Sequence, residues 1–186
     1  SPVMVCAAII IKLDSKGPVF FTKLDDGKQI KRVGEKGKLF TCYKLRTMHP
    51  GTHSQRYKEL REANIRKHSP LVKIGKDPRI TRIGKYLRRL SIDEMPQFWN
   101  VLKGDMSLVG PRPHFPEEIE KYDRDQKFVL TLKPGITGLA QVNGRSDLEF
   151  KKEIEYDTYY IQNWSPLLDL KILAKTFHAV LKGYKE

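Results

Sequence analysis

Two adjacent carboxylates, Asp93 and Glu94, are the residues whose types and spacing are best suited to chemistry. Ser91 lies just before them, and Gly104 follows the helical pattern that they open. This pattern predicts a helix over 91–103, with Ser91 as the N-cap, Glu94 as its capping-box partner and Gly104 beyond the C-terminal end. The first turn of a helix favours negative charge, and the same end can receive a phosphate.

Asp93 and Glu94 admit a structural and a chemical interpretation. Acidic residues are ordinary in the first turn of a helix, so their position alone does not require chemistry. Adjacent side chains on a helix point about 100° apart, so the pair is poorly placed to share a proton. The two could instead divide the work, one as a covalent nucleophile and the other as a ligand of a hard cation. Mg²⁺ suits the second role because it takes one or two carboxylates together with substrate phosphate oxygens.

Basic residues on both sides of this pair indicate a phosphorylated ligand. Arg88 lies on the preceding predicted helix, and Arg112 stands between Pro111 and Pro113. Because the prolines restrict the backbone on both sides, Arg112 is pre-organised for bidentate phosphate binding. A loop arginine that is fixed for structural reasons fits the same pattern, so both interpretations stay open.

The elements that must position these side chains are expected to form a mostly helical, single α+β domain with a small β-hairpin unit. The hairpin is predicted over 18–46 and its best strand over 39–45, where Lys44 and Arg46 would point to one face. An extended segment is predicted over 138–145. Amphipathic or charged patterns, several typical of surface helices, predict helices over 53–67, 81–90, 148–164 and 166–182, and one that begins near Pro116.

The amino-terminal residues 3–11 form an apolar run after Ser1 and Pro2. The run is about half of the roughly 20 residues that a bilayer-spanning helix needs. No basic segment precedes it, so it does not resemble a signal peptide. Two interpretations stay open: a helix or strand in the core, or the tail of a membrane segment that enters the bilayer and returns. On the second, the upstream half of that segment would be missing.

Composition narrows the ligand class. Lys and Arg total 35 against 22 Asp and Glu, which gives a formal charge of +13 and favours an anionic partner: nucleic acid, an anionic membrane or a phosphorylated molecule. The two cysteines have no metal-type or disulfide-type spacing, and the histidines form no metal-ligand spacing. Phosphate-loop, dinucleotide, zinc-protease and serine-hydrolase motifs are all absent from the sequence.

Several long motifs make the sequence resemble the bacterial sugar transferases, the monotopic polyprenyl-phosphate phosphoglycosyl transferases. The motifs cover most of the chain, and their specificity makes a chance match improbable. The segment 22–30 departs from the pattern because it looks longer than the family's usual link, which predicts an extended hairpin loop. The matching stretches are 1–12, 17–21, 32–34, 40 together with 43–48, 77–81, 90–97, 104–113, 134–138, 141–145 and 156–164.

The resemblance implies a reaction and roles for single residues. Asp93 would attack the β-phosphate of a UDP-sugar, release UMP and form a covalent phosphosugar–enzyme. Polyprenyl (undecaprenyl) phosphate would then take the phosphosugar. Glu94 would hold Mg²⁺. The residues expected to line the phosphate and nucleotide site are Lys44, Arg46, Arg88, Arg112, Arg145 and Asp157.

The resemblance also implies a location and an organisation. Residues 1–12 would be part of a re-entrant membrane helix, and 13–186 a catalytic domain on the cytoplasmic face of the bacterial inner membrane, active in polysaccharide or glycoconjugate assembly. The partners would be the UDP-sugar, the lipid phosphate and the membrane surface, without nucleic acid; a homo-oligomer is left open. Two other hypotheses remain: a catalytically idle membrane-bound scaffold of the same fold, and a basic nucleic-acid-binding module. The sequence does not identify the sugar.

Overall fold

The computed structural model describes residues 1–67, 69–144 and 148–182. It combines α-helices with two small sheets, which confirms a mixed, mostly helical α+β fold. The α-helices are α1 (Pro2–Asp14), α2 (Arg82–Arg89), α3 (Gln97–Leu102), α4 (Pro116–Ile119), α5 (Leu139–Val142), α6 (Phe150–Gln162) and α7 (Pro166–Lys182). The 3₁₀ helices are Glu35–Gly37, Ser54–Tyr57, Arg61–Ala63, Ile92–Glu94 and Gln126–Thr131. The strands are β1 (Arg32–Val33), β2 (Leu39–Phe40), β3 (Ser107–Val109) and β4 (Gly135–Thr137).

The predicted hairpin unit is present, although its regular part is short. Strands β1 and β2 pair antiparallel, with Arg32 opposite Phe40. Isolated antiparallel bridges join Phe20 to Leu45 and Lys23 to Gln29. The strand predicted over 39–45 is therefore regular only at its start, because the later residues bond to side chains and loops.

A second sheet was not predicted. Strands β3 and β4 pair in parallel, with Ser107 opposite Gly135 and Val109 opposite Thr137. Each strand has only three residues, which is too short for the alternating apolar and polar pattern that predicts a strand from sequence. This sheet leads directly into the loop that carries Arg112, so it matters for the site.

The apolar run at the amino terminus forms α1, which buries one face. Ala7 and Ile11 are buried against Leu45 and Leu87, while the outward face leaves side chains such as Val5 exposed. The core interpretation therefore holds for one side of the helix. Within the described part of the chain, none of the helices combines the length and the apolar character that crossing a membrane requires.

The basic helix predicted over 81–90 is confirmed as α2. The Thr81 hydroxyl caps it by accepting a hydrogen bond from the Gly84 N–H at 3.0 Å. Gly84 lies so close to the backbone of Thr47 that a Cβ would overlap its carbonyl group. This contact fixes the start of α2 against the segment that follows Lys44.

The carboxyl-terminal helices are confirmed close to their predicted bounds as α6 and α7. Ser165 caps α7, because its hydroxyl accepts a hydrogen bond from the Leu168 N–H at 3.2 Å. Tyr160 of α6 and Ile172 of α7 are buried with Val109 of β3. Helices α6 and α7 thus pack against strand β3 of the second sheet. Both cysteines are free, with Cys42 buried and Cys6 exposed.

Two predicted elements outside the carboxylate segment are wrong. The helix over 53–67 is replaced by the short 3₁₀ turns Ser54–Tyr57 and Arg61–Ala63, because long-range contacts of Arg56 shape this segment and its charge pattern supplies no apolar stripe. The extended segment over 138–145 is helical at Leu139–Val142. Burial of this turn against α7 outweighs its local sequence preference.

Candidate active site

The carboxylate pair lies in a one-turn 3₁₀ helix, Ile92–Glu94, and not in the first turn of α3. The predicted continuous helix over 91–103 is therefore wrong. Pro96 provides the reason, since it has no N–H to continue the hydrogen-bond ladder from the first turn into α3. The predicted capping box is also wrong: Ser91 has a left-handed backbone, with φ of 55°, and its side chain makes no capping hydrogen bond within the described part of the chain.

Lys44 joins the two carboxylates. Its Nζ lies 2.9 Å from Asp93 Oδ2 and 3.3 Å from Glu94 Oε1. Asp93 is 1% exposed, and its backbone carbonyl accepts a hydrogen bond from the Leu45 N–H at 2.9 Å. The positive charge of Lys44 offsets much of the free-energy cost of burying the Asp93 carboxylate as an anion.

Arg112 completes the cluster from the other side. Its Nη2 donates a hydrogen bond to Glu94 Oε1 at 3.1 Å, and this carboxylate raises the pKa of Arg112. The loop is anchored to the second sheet, because Gly110 N–H donates to Thr137 O and Gly135 N–H donates to Pro111 O. The prolines and the sheet together hold the guanidinium at the carboxylate pair.

Asn100 positions Lys44, a role that sequence reasoning missed. Asn100 is 0% exposed; its Nδ2 donates to Thr41 O at 2.7 Å and its Oδ1 accepts from Tyr43 N–H at 3.0 Å. These bonds fix the backbone directly before Lys44 against α3. No local pattern signals such a contact, since its partners lie 57 and 59 residues away.

A cavity of about 130 Å³, which we call the cationic cavity, adjoins the cluster; five basic residues line it, and carboxylates outside the lining pair with Arg32, Arg56 and Arg79. Lys44 and Arg88 line it, and Arg88 Nε donates a hydrogen bond to Thr47 Oγ1 at 3.1 Å. None of the lining residues within the described chain is acidic. The basic lining residues are Arg32, Lys44, Arg56, Arg79 and Arg88, and the aromatic ones are Phe21, His53 and Phe115.

Three of the predicted binding residues lie elsewhere or are not described. Arg46 points away from Lys44: its Nε donates to Pro18 O at 2.6 Å, and its Nη atoms bind Ser15. Arg46 therefore fixes the end of α1, and burial lowers its pKa. Asp157 is buried within α6 and is not among the residues that line the cavity. Arg145 lies outside the described residues.

Asp157 is a buried acid with a strongly raised pKa. Burial is the main cause, and the charge of Glu153 adds to it. Its Oδ1 finds no hydrogen-bond partner among the residues that the structure describes. The folded protein therefore keeps a proton on Asp157 at pH values at which the unfolded chain has released it.

The raised pKa of Asp157 predicts a pH-dependent gain in stability for Asp157→Asn. Wild-type stability falls as pH rises from about 3.9, the usual Asp pKa, through the folded-state pKa, since the unfolded chain binds fewer protons there. The asparagine side chain does not titrate, so the variant does not lose stability in this way as the pH rises. The variant is expected to melt higher at pH 8, by about 2–4 °C for each kcal/mol gained, with the difference vanishing near pH 4. Melting curves of Asp157→Asn and of the exposed control Asp123→Asn across this range measure it; equal curves at pH 8 would contradict it.

The carboxylate pair has the donor chemistry of a Mg²⁺ site that depends on substrate. Within the described chain, no group of three or more His, Cys, Asp and Glu residues forms a protein-only metal site. Asp93 Oδ2 is buried and accepts no hydrogen bond of good geometry from the described residues, although the Lys44 ammonium lies beside it. Carboxylate oxygens are the ligand type that Mg²⁺ prefers, so this donor set fits an ion that would complete its shell with phosphate oxygens and water.

Comparison with known proteins places the chain in a family. The sequence model of the bacterial sugar transferases matches residues 1–183. An undecaprenyl-phosphate galactose phosphotransferase of Salmonella typhimurium is 40% identical over 187 residues, which cover 96% of this chain and 39% of that protein. The exopolysaccharide production protein ExoY of Sinorhizobium fredii is 38% identical, with 97% of this chain and 77% of that protein covered.

A third relative is named for a different sugar. The UDP-N-acetylgalactosamine-undecaprenyl-phosphate N-acetylgalactosaminephosphotransferase of Aeromonas hydrophila is 40% identical over 99% of this chain and 40% of its own length. The chain thus spans about two fifths of the Salmonella and Aeromonas proteins and most of the Sinorhizobium protein. Because the family model matches nearly the whole length of the chain, the chain belongs to the bacterial sugar transferase family.

Proposed function

We propose that the protein transfers a phosphosugar from a UDP-sugar to a polyprenyl phosphate in two steps. In the first, an Asp93 oxygen attacks the β-phosphorus and the bond from that phosphorus to the bridging oxygen breaks, so UMP leaves with the bridging oxygen. In the second, an oxygen of the lipid phosphate attacks the same phosphorus and frees the Asp93 carboxylate. The product is a polyprenyl diphosphate sugar, and each step exchanges one phosphorus–oxygen bond for another.

The observation that carries this proposal is the position of Lys44 between two carboxylates at the edge of a cationic cavity. A carboxylate attacks through an anionic oxygen, and the Lys44 ammonium lies 2.9 Å from Oδ2 of Asp93. Cations that converge on an enclosed volume suit a diphosphate, whereas nucleic acid would call for an open basic surface. Arg88, which lines the cavity, and Arg112, which contacts Glu94, would stabilise the charge that develops on the leaving and transferred phosphates.

Glu94 is the residue we assign to Mg²⁺. Its side chain is 13% exposed, against 2% for that of Asp93, so an ion that enters from solvent would meet Glu94 first; Arg112 Nη2 and Lys44 Nζ lie 3.1 and 3.3 Å from its Oε1. Bound there, Mg²⁺ would neutralise phosphate charge and draw electron density from the phosphorus. Asp93 keeps the nucleophile's role that the family resemblance implies, and the Lys44 ammonium lies 2.9 Å from its Oδ2 at the edge of the cavity.

The exposed apolar side chains support a membrane-surface location. The re-entrant role of α1 and the cytoplasmic face of the inner membrane are part of the proposal and follow from the family resemblance. Outward residues of α1, such as Leu13, are exposed, and so are Phe98, Trp99 and Leu102 on α3, next to the carboxylates. A lipid phosphate acceptor would reach Asp93 from that surface. The names of relatives that act on undecaprenyl phosphate favour the same acceptor here.

A single-turnover experiment tests the proposal. The protein with Mg²⁺ and a UDP-sugar, without lipid, is expected to release about one equivalent of UMP and to gain the mass of one phosphosugar. Added polyprenyl phosphate should remove that mass. Chelation with EDTA before the donor is added should suppress the burst. A panel of UDP-hexoses and UDP-N-acetylhexosamines covers the unknown sugar; absence of UMP release with every member, Mg²⁺ present, would refute the function.

A further inference from the structure

The long hairpin loop over 22–30 is folded and docked. Leu24 N–H donates to Lys28 O at 2.8 Å, which closes its tip. From that tip the Asp25 carboxylate accepts hydrogen bonds from two backbone N–H groups, His53 at 3.1 Å and Ser54 at 2.7 Å. Its neighbour Asp26 instead pairs with Lys28 within the same loop.

Asp25 is charged when it makes these bonds. Partial burial alone would raise its pKa, but the N–H groups of Ser54 and His53 outweigh that effect and lower the pKa below its usual value. The carboxylate therefore fixes the start of the 3₁₀ turn Ser54–Tyr57. Arg79 holds the same segment from another side, through Nη1 bonds to Thr52 O and His53 O at 3.2 and 3.3 Å.

Four residues form what we call the aromatic wall of the cationic cavity: His53 and Arg56 at this turn, and Phe21 and Phe115 from other segments. The His53 ring centroid lies 5.9 Å from that of Phe21 and 5.2 Å from that of Phe115. The Arg56 guanidinium carbon lies 4.3 Å above the Phe115 ring. Arg56 is 9% exposed, yet its Nε has no hydrogen-bond partner among the described residues.

The chemistry of this wall differs from that of the Lys44 side. Burial and the charge of Arg56 lower the pKa of His53 to about 4, so the ring is neutral at physiological pH and offers one donor and one acceptor. A neutral heterocycle beside an unsatisfied guanidinium N–H suits a flat ring that bears carbonyl oxygens. Uracil has that shape and those acceptors, whereas a phosphate could use the guanidinium N–H but gains nothing from a flat, neutral aromatic surface.

We propose that the aromatic wall recognises the nucleobase of the donor nucleotide, and that Asp25 is the positioning residue that holds the wall in place. This inference rests on the proposed function, since it takes the leaving UMP to occupy the cationic cavity. Attack by Asp93 expels UMP, and the cations beside Lys44 receive its phosphate. The nucleoside then extends along the cavity lining toward His53.

The test compares Asp25→Ala with Asp26→Ala, a control on the same loop that does not touch the wall. Calorimetric binding of UMP, CMP and pyrophosphate to the whole protein is measured. Loss of the Asp25 contacts should weaken UMP binding by about three- to tenfold, bring the affinities for UMP and CMP closer together and leave pyrophosphate binding unchanged. Asp26→Ala should match the wild type for all three.

Two results would overturn the inference. One is an unchanged preference for UMP over CMP in Asp25→Ala; the other is an equal loss of UMP and pyrophosphate binding, which would indicate a general collapse of the cavity. If Asp25→Ala does not fold, Asp25→Asn keeps one acceptor oxygen and should show an intermediate preference. If the wild type forms the phosphosugar adduct but Asp25→Ala keeps its full preference for UMP over CMP, the role of the aromatic wall is refuted and the proposed function stands. Absence of UMP release from the wild type refutes the proposed function.

Discussion

Asp93→Asn is expected to remove the UMP burst and the phosphosugar adduct and to lower turnover by at least about 10⁴-fold. The amide keeps the shape of the side chain, which matters at a position that is 1% exposed. It cannot supply the anionic oxygen that attacks phosphorus. Intact-protein mass spectrometry after incubation with Mg²⁺ and the accepted UDP-sugar measures the adduct, and UMP release measures the chemistry.

Glu94→Gln is the matched comparison, because it changes the adjacent carboxylate in the same way. If the two acids divide the work as proposed, Glu94→Gln keeps the nucleophile and still forms the adduct, more slowly and at higher Mg²⁺. Melting curves show whether either variant is unfolded. An adduct that forms equally well in Asp93→Asn would show that another residue is the nucleophile. Wild-type turnover would exclude an idle scaffold.

The sequence was informative for features that depend on a local pattern of residues. It predicted the carboxylate pair, the proline-flanked Arg112 and the basic helix α2, because each depends on a few neighbouring residues. It also predicted the two long carboxyl-terminal helices, whose apolar stripes span several turns. Lys44 and Arg88 were predicted as binding residues, and the structure brings both to the cavity beside Asp93.

The features of the fold and the site that the sequence did not predict depend mostly on contacts between residues that are distant in sequence. Arg46 shares the Lys44 motif but turns to the end of α1, since the backbone between them is not a regular strand. The turn at 54–57 has the charge pattern of a surface helix, yet it is fixed by Asp25 and Arg79 from two other segments. Pro96 shows the same limit within the site, where one missing N–H separates the carboxylate turn from α3.

Asn100 is the clearest case of such a distant contact, and Asn100→Leu should cost about 3–5 kcal/mol of unfolding free energy. The leucine side chain is similar in size but leaves Tyr43 N–H and Thr41 O buried without partners, at about 1–3 kcal/mol each. Such a loss is a large part of the 5–15 kcal/mol that typically stabilises a domain. Urea unfolding at constant pH measures it.

The exposed Asn163, whose Nδ2 donates to Tyr159 O at the end of α6, provides the control. Asn163→Leu should change the unfolding free energy by less than about 1 kcal/mol, because water replaces its bond. Asn100→Leu should also weaken the UMP burst under conditions in which it is still folded, since the backbone before Lys44 is no longer fixed and the ammonium leaves Asp93. An Asn100→Leu protein as stable as Asn163→Leu, with an intact burst, would show that α3 does not position Lys44.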